Sequence, residues 1–188
     1  MPSRTIDALD RQILDVLQRE GRTRNNALAD QVHLSPSPCL RRVKELVADG
    51  IITGYRAELD REAVGLGLTV FVELKIDGHS EQTSTRIEQT LSALPQVLAC
   101  HVVSGAADFL LEVAVPDLAA YQRFLLGDLL TVPSVHDVRS NIAIRTAKSR
   151  APLPLTHLTD GSRTPGLRSP SSRQPIGYRD GCRVCSRM

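Results

Sequence analysis

Apolar residues recur at spacings of three and four in the first third of the chain and at spacings of two beyond it, and this change of period predicts two kinds of domain. Leu9, Ile13, Leu14 and Leu17 form the stripe of a first helix that Asp7 opens as N-cap and Gly21 ends. Leu28, Ala29 and Val32 mark a shorter second helix from Asn25 to Val32, with Thr23 or Asn25 as its cap. Only His33 and Leu34 then precede Ser35. Ser35 suits an N-cap, its hydroxyl placed to accept from the free N–H groups two or three residues on, with Pro36 at the first helical position and Pro38 still within the first turn. Leu40, Val43, Leu46 and Val47 are the stripe of this third helix, and Gly50 follows as a residue that can turn left-handed. Two helices joined by so tight a turn must cross steeply, which is the helix-turn-helix arrangement. In the segment after Gly50, Tyr55, Ala57 and Leu59 alternate with polar residues as in a half-buried strand, a candidate wing.

The second half reads differently. Val70, Val72, Leu74 and Ile76 alternate with Thr69, Phe71, Glu73 and Lys75 in a strand. Ser80 caps a helix carrying Ile87, Leu91 and Leu94 that Pro95 stops. Val97 to Ser104 is a strand, Gly105-Ala106-Ala107-Asp108 a tight turn, and Phe109 to Val115 its antiparallel partner. Asp117 caps a helix with Leu118, Tyr121 and Leu125, and a last strand runs from Val135 to Arg145. The junctions Leu94-Pro95-Gln96-Val97 and Val132-Pro133-Ser134-Val135 mark a weak internal repeat. Two such units give β-α-β-β-α-β, the ferredoxin-like sandwich with both helices on one face of a four-stranded sheet. In Val97 to Ser104 both parities are mostly apolar, so a second subunit is expected to cover the open face as a symmetric dimer. The fold class expected is therefore α+β: a winged helix-turn-helix over 1–60, a linker over 61–68, a ferredoxin-like domain over 69–158 and a disordered basic tail over 159–188.

Composition narrows the function. Apolar residues make up 41% and aromatics only 3% of the 188 residues, so the cores must be aliphatic. No apolar run is long enough to cross a membrane and the polar start is no signal peptide, so a cytoplasmic, nucleoid-associated protein without a membrane partner is expected. The net charge of +2 misleads. Basic and acidic residues number 9 and 9 over residues 1–60, 8 and 10 over 61–158, and 6 and 2 beyond, so the surplus lies in the tail. Attraction to nucleic acid must then come from local clustering on the third helix. On that helix Ser35, Ser37, Pro38, Arg41, Arg42 and Lys44 are the candidate DNA-binding residues, hydroxyls and cations for base edges and phosphates. Cys39 and Cys100 read as small core hydrophobes. Cys182 and Cys185 form one CxxC with no second pair and no nearby His, which argues against zinc. No catalytic constellation, phosphate loop or cofactor motif appears, so an enzyme using the ferredoxin-like domain is the weakest reading.

With these residues in view, the chain resembles the Lrp/AsnC (leucine-responsive and asparagine-responsive, feast/famine) transcriptional regulators over roughly residues 6–155. The likeness rests on Leu9-Asp10-Arg11-Gln12-Ile13-Leu14, Leu17-Gln18-Arg19-Glu20-Gly21-Arg22, Leu34-Ser35-Pro36-Ser37-Pro38-Cys39, Arg41-Arg42-Val43, and Gly50-Ile51-Ile52 followed by Tyr55. In the second domain it rests on Cys100-His101-Val102-Val103-Ser104-Gly105 and Asp108-Phe109-Leu110-Leu111. The resemblance implies a regulator that binds promoter DNA as a dimer, or as an octamer built from dimers, with an amino acid or related metabolite held between subunits as effector. It places that effector at Ser104, Gly105, Ala106, Ala107 and Asp108. The physics agrees, since a glycine turn exposes N–H groups to a carboxylate and Asp108 can meet an ammonium. Departures from the family pattern are Ala107 where a bulky residue is common, His33 where Gly is usual, Arg24 where a Ser or Thr cap is usual, and a tail without counterpart. An effector-independent architectural protein that binds by phosphate contact and bending is the alternative.

Overall fold

The computed structural model describes residues 5–77, 81–149 and 151–158. They form two compact units, one running to Tyr55 and regaining the chain from Pro152 on, the other spanning Arg56–Ala151. The expected cap Ser80 and the tail with Cys182 and Cys185 lie outside the described residues. No helix among the described residues is long and apolar enough to cross a membrane.

In the first unit α1 (Ala8–Arg19), α2 (Asn25–Gln31) and α3 (Pro36–Ala48) surround a core of Ile13, Leu14, Leu28, Ala29, Val32, Cys39 and Leu46. Asp7 opens α1 with a capping box: its carboxylate accepts from the Asp10 N–H at 2.7 Å, and its own N–H points at the Asp10 carboxylate. Asp10 is the one charged side chain of this core, 1% exposed. A carboxylate so far from water must be paired. Arg42, on α3, donates to Asp7 at 2.7 Å and to Asp10 at 2.8 Å. This corrects the assignment of Arg42 to the DNA face, because its guanidinium is spent on holding α3 against the start of α1. Burial works upward on the Asp7 carboxyl, but the Asp10 N–H and the Arg42 guanidinium outweigh it and hold Asp7 below the usual range.

Three local details differ from the periodicity. Neither Thr23 nor Asn25 caps α2: Arg24 takes the N-cap position without a side-chain capping bond to the helix, Thr23 donates to the Glu20 carbonyl, and Asn25 Nδ2 donates to the Pro36 carbonyl at 2.9 Å, tying the starts of α2 and α3 together. Ser35 is the α3 N-cap, yet its hydroxyl makes no capping bond. Proline occupies the first and third helical positions, so one of the two usual N–H targets does not exist. The apolar stripe of α3 is turned by one residue: Cys39, Val43 and Leu46 face the core, while Leu40 and Val47 point outward. His33 does adopt a left-handed backbone, φ 54°, at a cost on the order of 1 kcal/mol. Gly50 turns left-handed at φ 71° as α3 ends.

The expected wing strand is absent among the described residues. Ile51 and Ile52 pack on the helical core, but residues 53–60 bond to no neighbouring strand. Alternation over Tyr55, Ala57 and Leu59 supplies a face, whereas a strand also needs a partner for its backbone groups. A second difference is the stretch after Ala151, expected in the ferredoxin-like domain. Leu153 exchanges two bonds with the Gln18 side-chain amide, Leu155 packs on the helical core, and Arg11 donates to the carbonyl of the buried Leu158. Pro152–Leu158 is therefore a strap over α1.

The second unit contains β1 (Leu68–Ile76), α4 (Glu81–Ser92), β2 (Val97–Val102), β3 (Phe109–Val115), α5 (Leu118–Phe124, continued by a π-helical turn over Leu125–Leu129) and β4 (Val135–Ile142). Its sheet runs β2-β3-β1-β4 with every neighbour antiparallel, the ferredoxin-like order. Val70, Val72, Leu74 and Ile76 of β1 are buried with Phe109, Leu111 and Val113 of β3 against Ile87, Leu91, Tyr121, Phe124 and Leu129. Leu118, expected in that core, is exposed; it is the first residue after the Asp117 cap, and Tyr121 and Phe124 take the inward positions. The opposite face is not the apolar one that β2 suggested. Phe71 and Leu110 lie there among Glu73, Lys75, Glu112, Asp137, Arg139 and Asn141, with Glu73 opposite Arg139 and Lys75 opposite Asp137 across β1 and β4.

Arg42→Met should destabilise the first unit by about 2–4 kcal/mol, the cost of taking the guanidinium away from a buried carboxylate, in urea unfolding followed by helical circular dichroism; a loss below about 1 kcal/mol would remove the clamp from its role. Because the Asp7 carboxyl is held down, the stability it lends is complete above its ordinary value of 3.8 and fades as pH falls below that, so Asp7→Asn should flatten the acid limb of the stability curve. Ending the chain at Ala151 uncovers the sites of Leu155 and Leu158 and should cost the first unit about 1–3 kcal/mol while sparing the second. Equal losses in both units would contradict the strap.

Candidate functional site

With Arg42 turned inward, the outward side of α3 is a stripe at helical spacing: Ser37, Leu40, Arg41, Lys44, Glu45 and Ala48 line one open groove. Ser35 and Ser37 are exposed and Pro38 is half-buried in the first turn. The Arg41 side chain is 73% exposed and lies 4.0 Å from Glu45, a solvent-screened i,i+4 pair that leaves its guanidinium able to turn toward another partner. Of the six residues expected to bind DNA, Ser37, Arg41 and Lys44 share this groove, Ser35 and Pro38 flank it at the helix start, and Arg42 is elsewhere. Leu40 is the residue the sequence reading missed. Cys39, fully buried, was the signal that its neighbour must face out.

The turn joining β2 to β3 carries the second candidate site. Ser104, Gly105 and Ala106 are exposed, and Ala107 and Asp108 half-buried. Gly105 has φ 134°, a backbone that side chains disfavour, although a Cβ would meet nothing within 4 Å; conformation rather than space requires glycine. Asp108 is anchored three times: its N–H donates to the Leu74 carbonyl at 2.9 Å, its carbonyl accepts from Val103 at 3.0 Å, and its carboxylate accepts from the Ile76 N–H at 2.9 Å. That last bond lies just past Leu74 and Phe109, where the β1–β3 pairing ends, and it satisfies an N–H that would otherwise have no strand partner. One function of this carboxylate is therefore to hold the turn on the sheet.

Ala106 and Ala107 form one wall of a dent whose other walls are Glu73 and Lys75 of β1 and Asp137 and Arg139 of β4. Asn141 donates to Glu73 at 3.1 Å. The dent has room for about 10 Å³, one water's worth. The four charged residues were legible only as the polar parity of two strands. Elsewhere, burial raises the thiols of Cys39 and Cys100, for Cys100 with the Glu88 charge adding and Ser92 opposing, so both are neutral side chains. Among the described residues no three His, Cys, Asp or Glu side chains gather to hold a metal ion.

This geometry agrees with what the chain is similar to. Residues 6–53 match a winged helix-turn-helix DNA-binding model, and residues 69–153 match the Lrp/AsnC ligand binding domain. The Leucine-responsive regulatory protein of Escherichia coli is 37% identical over 147 residues, covering 78% of this chain and 90% of that protein. Among solved structures, a transcriptional regulator of Neisseria meningitidis in complex with L-Met superposes with a TM-score of 0.78 at 38% identity, over 82% of this chain and 100% of the other. An AsnC family regulator of Agrobacterium tumefaciens gives 0.77 at 36%, over 81% and 99%. The chain belongs to the Lrp/AsnC family of transcriptional regulators, a helix-turn-helix DNA-binding unit followed by a small-ligand-binding domain.

Proposed function

We propose that α3 lies in the major groove of promoter DNA with Ser37 and Arg41 toward the bases and Lys44 on phosphate, and that an amino acid or related metabolite, bound at the 104–108 turn between two subunits, tunes that binding. The observation that carries the DNA reading is the groove-lining stripe of Ser37, Arg41 and Lys44 on a module whose charges balance, 9 basic and 9 acidic over residues 1–60. Arg41 is the best base reader of the three, because a guanidinium forks onto guanine O6 and N7. Ser35 and Pro38, at the mouth of the helix, border the sugar-phosphate backbone. Arg42 supports this geometry from behind through Asp7 and Asp10.

For the effector, a free amino acid needs a carboxylate partner and an ammonium partner. Exposed N–H groups of the Ser104-Gly105-Ala106 turn suit the first, and Glu73, Asp137 and Asp108 suit the second. The dent is too small to hold an amino acid by itself, which favours a site completed by another copy of the chain across the open sheet face. The Neisseria relative's L-Met complex supports the ligand class. In such a dimer two α3 helices would reach successive major grooves about 34 Å apart. An effector-indifferent architectural protein is disfavoured by the balance of 9 basic and 9 acidic residues over 1–60, which leaves little charge for binding by phosphate contact alone.

Against a duplex selected from a random pool at fixed salt, Arg41→Ala should weaken specific binding by about 1–3 kcal/mol and relax the sequence preference at one position per half-site. Unchanged affinity and preference would exclude Arg41 from base reading. The effector reading is tested best by Asp108→Asn, which keeps an acceptor for the Ile76 N–H while removing the charge. The variant should fold with stability within about 1 kcal/mol of wild type and bind DNA, but lose any amino-acid-dependent change in affinity and particle mass. A full response retained by Asp108→Asn, or indifference of the wild type to all twenty amino acids, would refute it.

A further inference from the structure

We propose that Leu40 reads thymine, packing its isobutyl group on the C5-methyl group in the major groove. The inference rests on the DNA-binding reading of α3 above and adds to it a base identity. Leu40 is 42% exposed although its neighbour Cys39 is fully buried, so no demand of the core places an apolar side chain there. It sits in the middle of the polar stripe, three residues after Ser37, beside Arg41 and four before Lys44, and lines the same groove.

A large aliphatic group surrounded by hydroxyl and cations needs a partner that is apolar and lies between polar groups. The floor of the major groove offers one such partner, since thymine alone carries a methyl group there, set among hydrogen-bond donors and acceptors. Position along the helix agrees. Leu40 lies on the second turn of α3, within the part of a reading helix that reaches base edges, whereas the similarly exposed Val47 is seven residues and about 10 Å farther along the axis. Burying one methyl against a leucine contributes roughly three- to tenfold in affinity.

The test uses the full chain and a duplex selected from a random-sequence pool. Each thymine is replaced in turn by deoxyuridine, which keeps the pairing and lacks only the methyl, and binding is measured for wild type, Leu40→Ala and Leu40→Met. One position per half-site should cost the wild type about three- to tenfold, cost Leu40→Met a similar factor, and cost Leu40→Ala nothing. Tolerance of uracil everywhere by the wild type would overturn the proposal, and so would a methyl effect of equal size in Leu40→Ala. If Leu40 instead contacts a second copy of the chain, Leu40→Ala will lower the particle mass while leaving methyl dependence unchanged, which also overturns it. Failure of the wild type to select or bind any duplex would be a different result, refuting the DNA reading beneath.

Discussion

A carboxylate carried into an aliphatic core is tolerable only with a partner, and Asp10 makes that demand at the centre of the first unit. The Asp7–Asp10–Arg42 cluster answers it with two short bonds and the capping box in one place, where the first helix begins and the third passes by. Much follows from that one fixture. It fixes the rotation of α3 about its own axis, because Arg42 must point at α1. With Arg42 inward, Cys39 and Leu46 are inward as well, and Ser37, Leu40, Arg41 and Lys44 are left to face out. The outward stripe of α3 is thus the complement of a salt bridge. A cation turned inward orients the ones that face out.

The second unit repeats the device with the backbone as partner. The β1–β3 ladder ends at Leu74 and Phe109, and the Asp108 carboxylate accepts the next N–H on that side, that of Ile76. The turn that follows Val103 is held by that bond and by the Leu74 carbonyl, so Gly105 and its neighbours are presented from a rigid base. In both units, then, a charged residue that looks like ligand-binding chemistry is partly framework. The distinction matters for mutagenesis: alanine at either position removes a structural partner along with a charge, and loss of function by itself says little about contact with a ligand.

What the sequence disclosed and what it hid divide along sequence distance. The alternation of β1, the Asp7 and Asp117 caps, the left-handed Gly50 and the ferredoxin-like order of elements are set by neighbours within a few residues or by the burial of one face, and all were legible. The Arg42 pairing spans more than thirty residues, and a basic residue beside Arg41 on an amphipathic helix looks the same whether it meets a phosphate or a buried Asp. Likewise the alternation of Tyr55, Ala57 and Leu59 is a local signal, while pairing with a partner strand is not. The strap over α1 is the extreme case, with Gln18 and Leu153 joined across 135 residues; nothing near Leu153 announces that its partner lies in the first helix. Only the turn of α3 by one residue was recoverable locally. A free cysteine is among the most buried residue types, and giving Cys39 priority over Leu40 would have set the phase.

The charged parity of the open sheet face bears on what kind of molecule can bind there. Glu73 stands opposite Arg139 and Lys75 opposite Asp137 in the strand register, so both signs of charge lie side by side on the face. A zwitterion brings both signs at fixed separation and can meet a cation and an anion of the face at once. Selectivity among zwitterions must then come from whatever touches the side chain, and the wall nearest the turn is only Ala106 and Ala107. Two methyl groups set little constraint by themselves. On the proposed reading, the shape that distinguishes one amino acid from the next would be supplied from across the open face, and ligand choice and subunit pairing would then be aspects of the same contact.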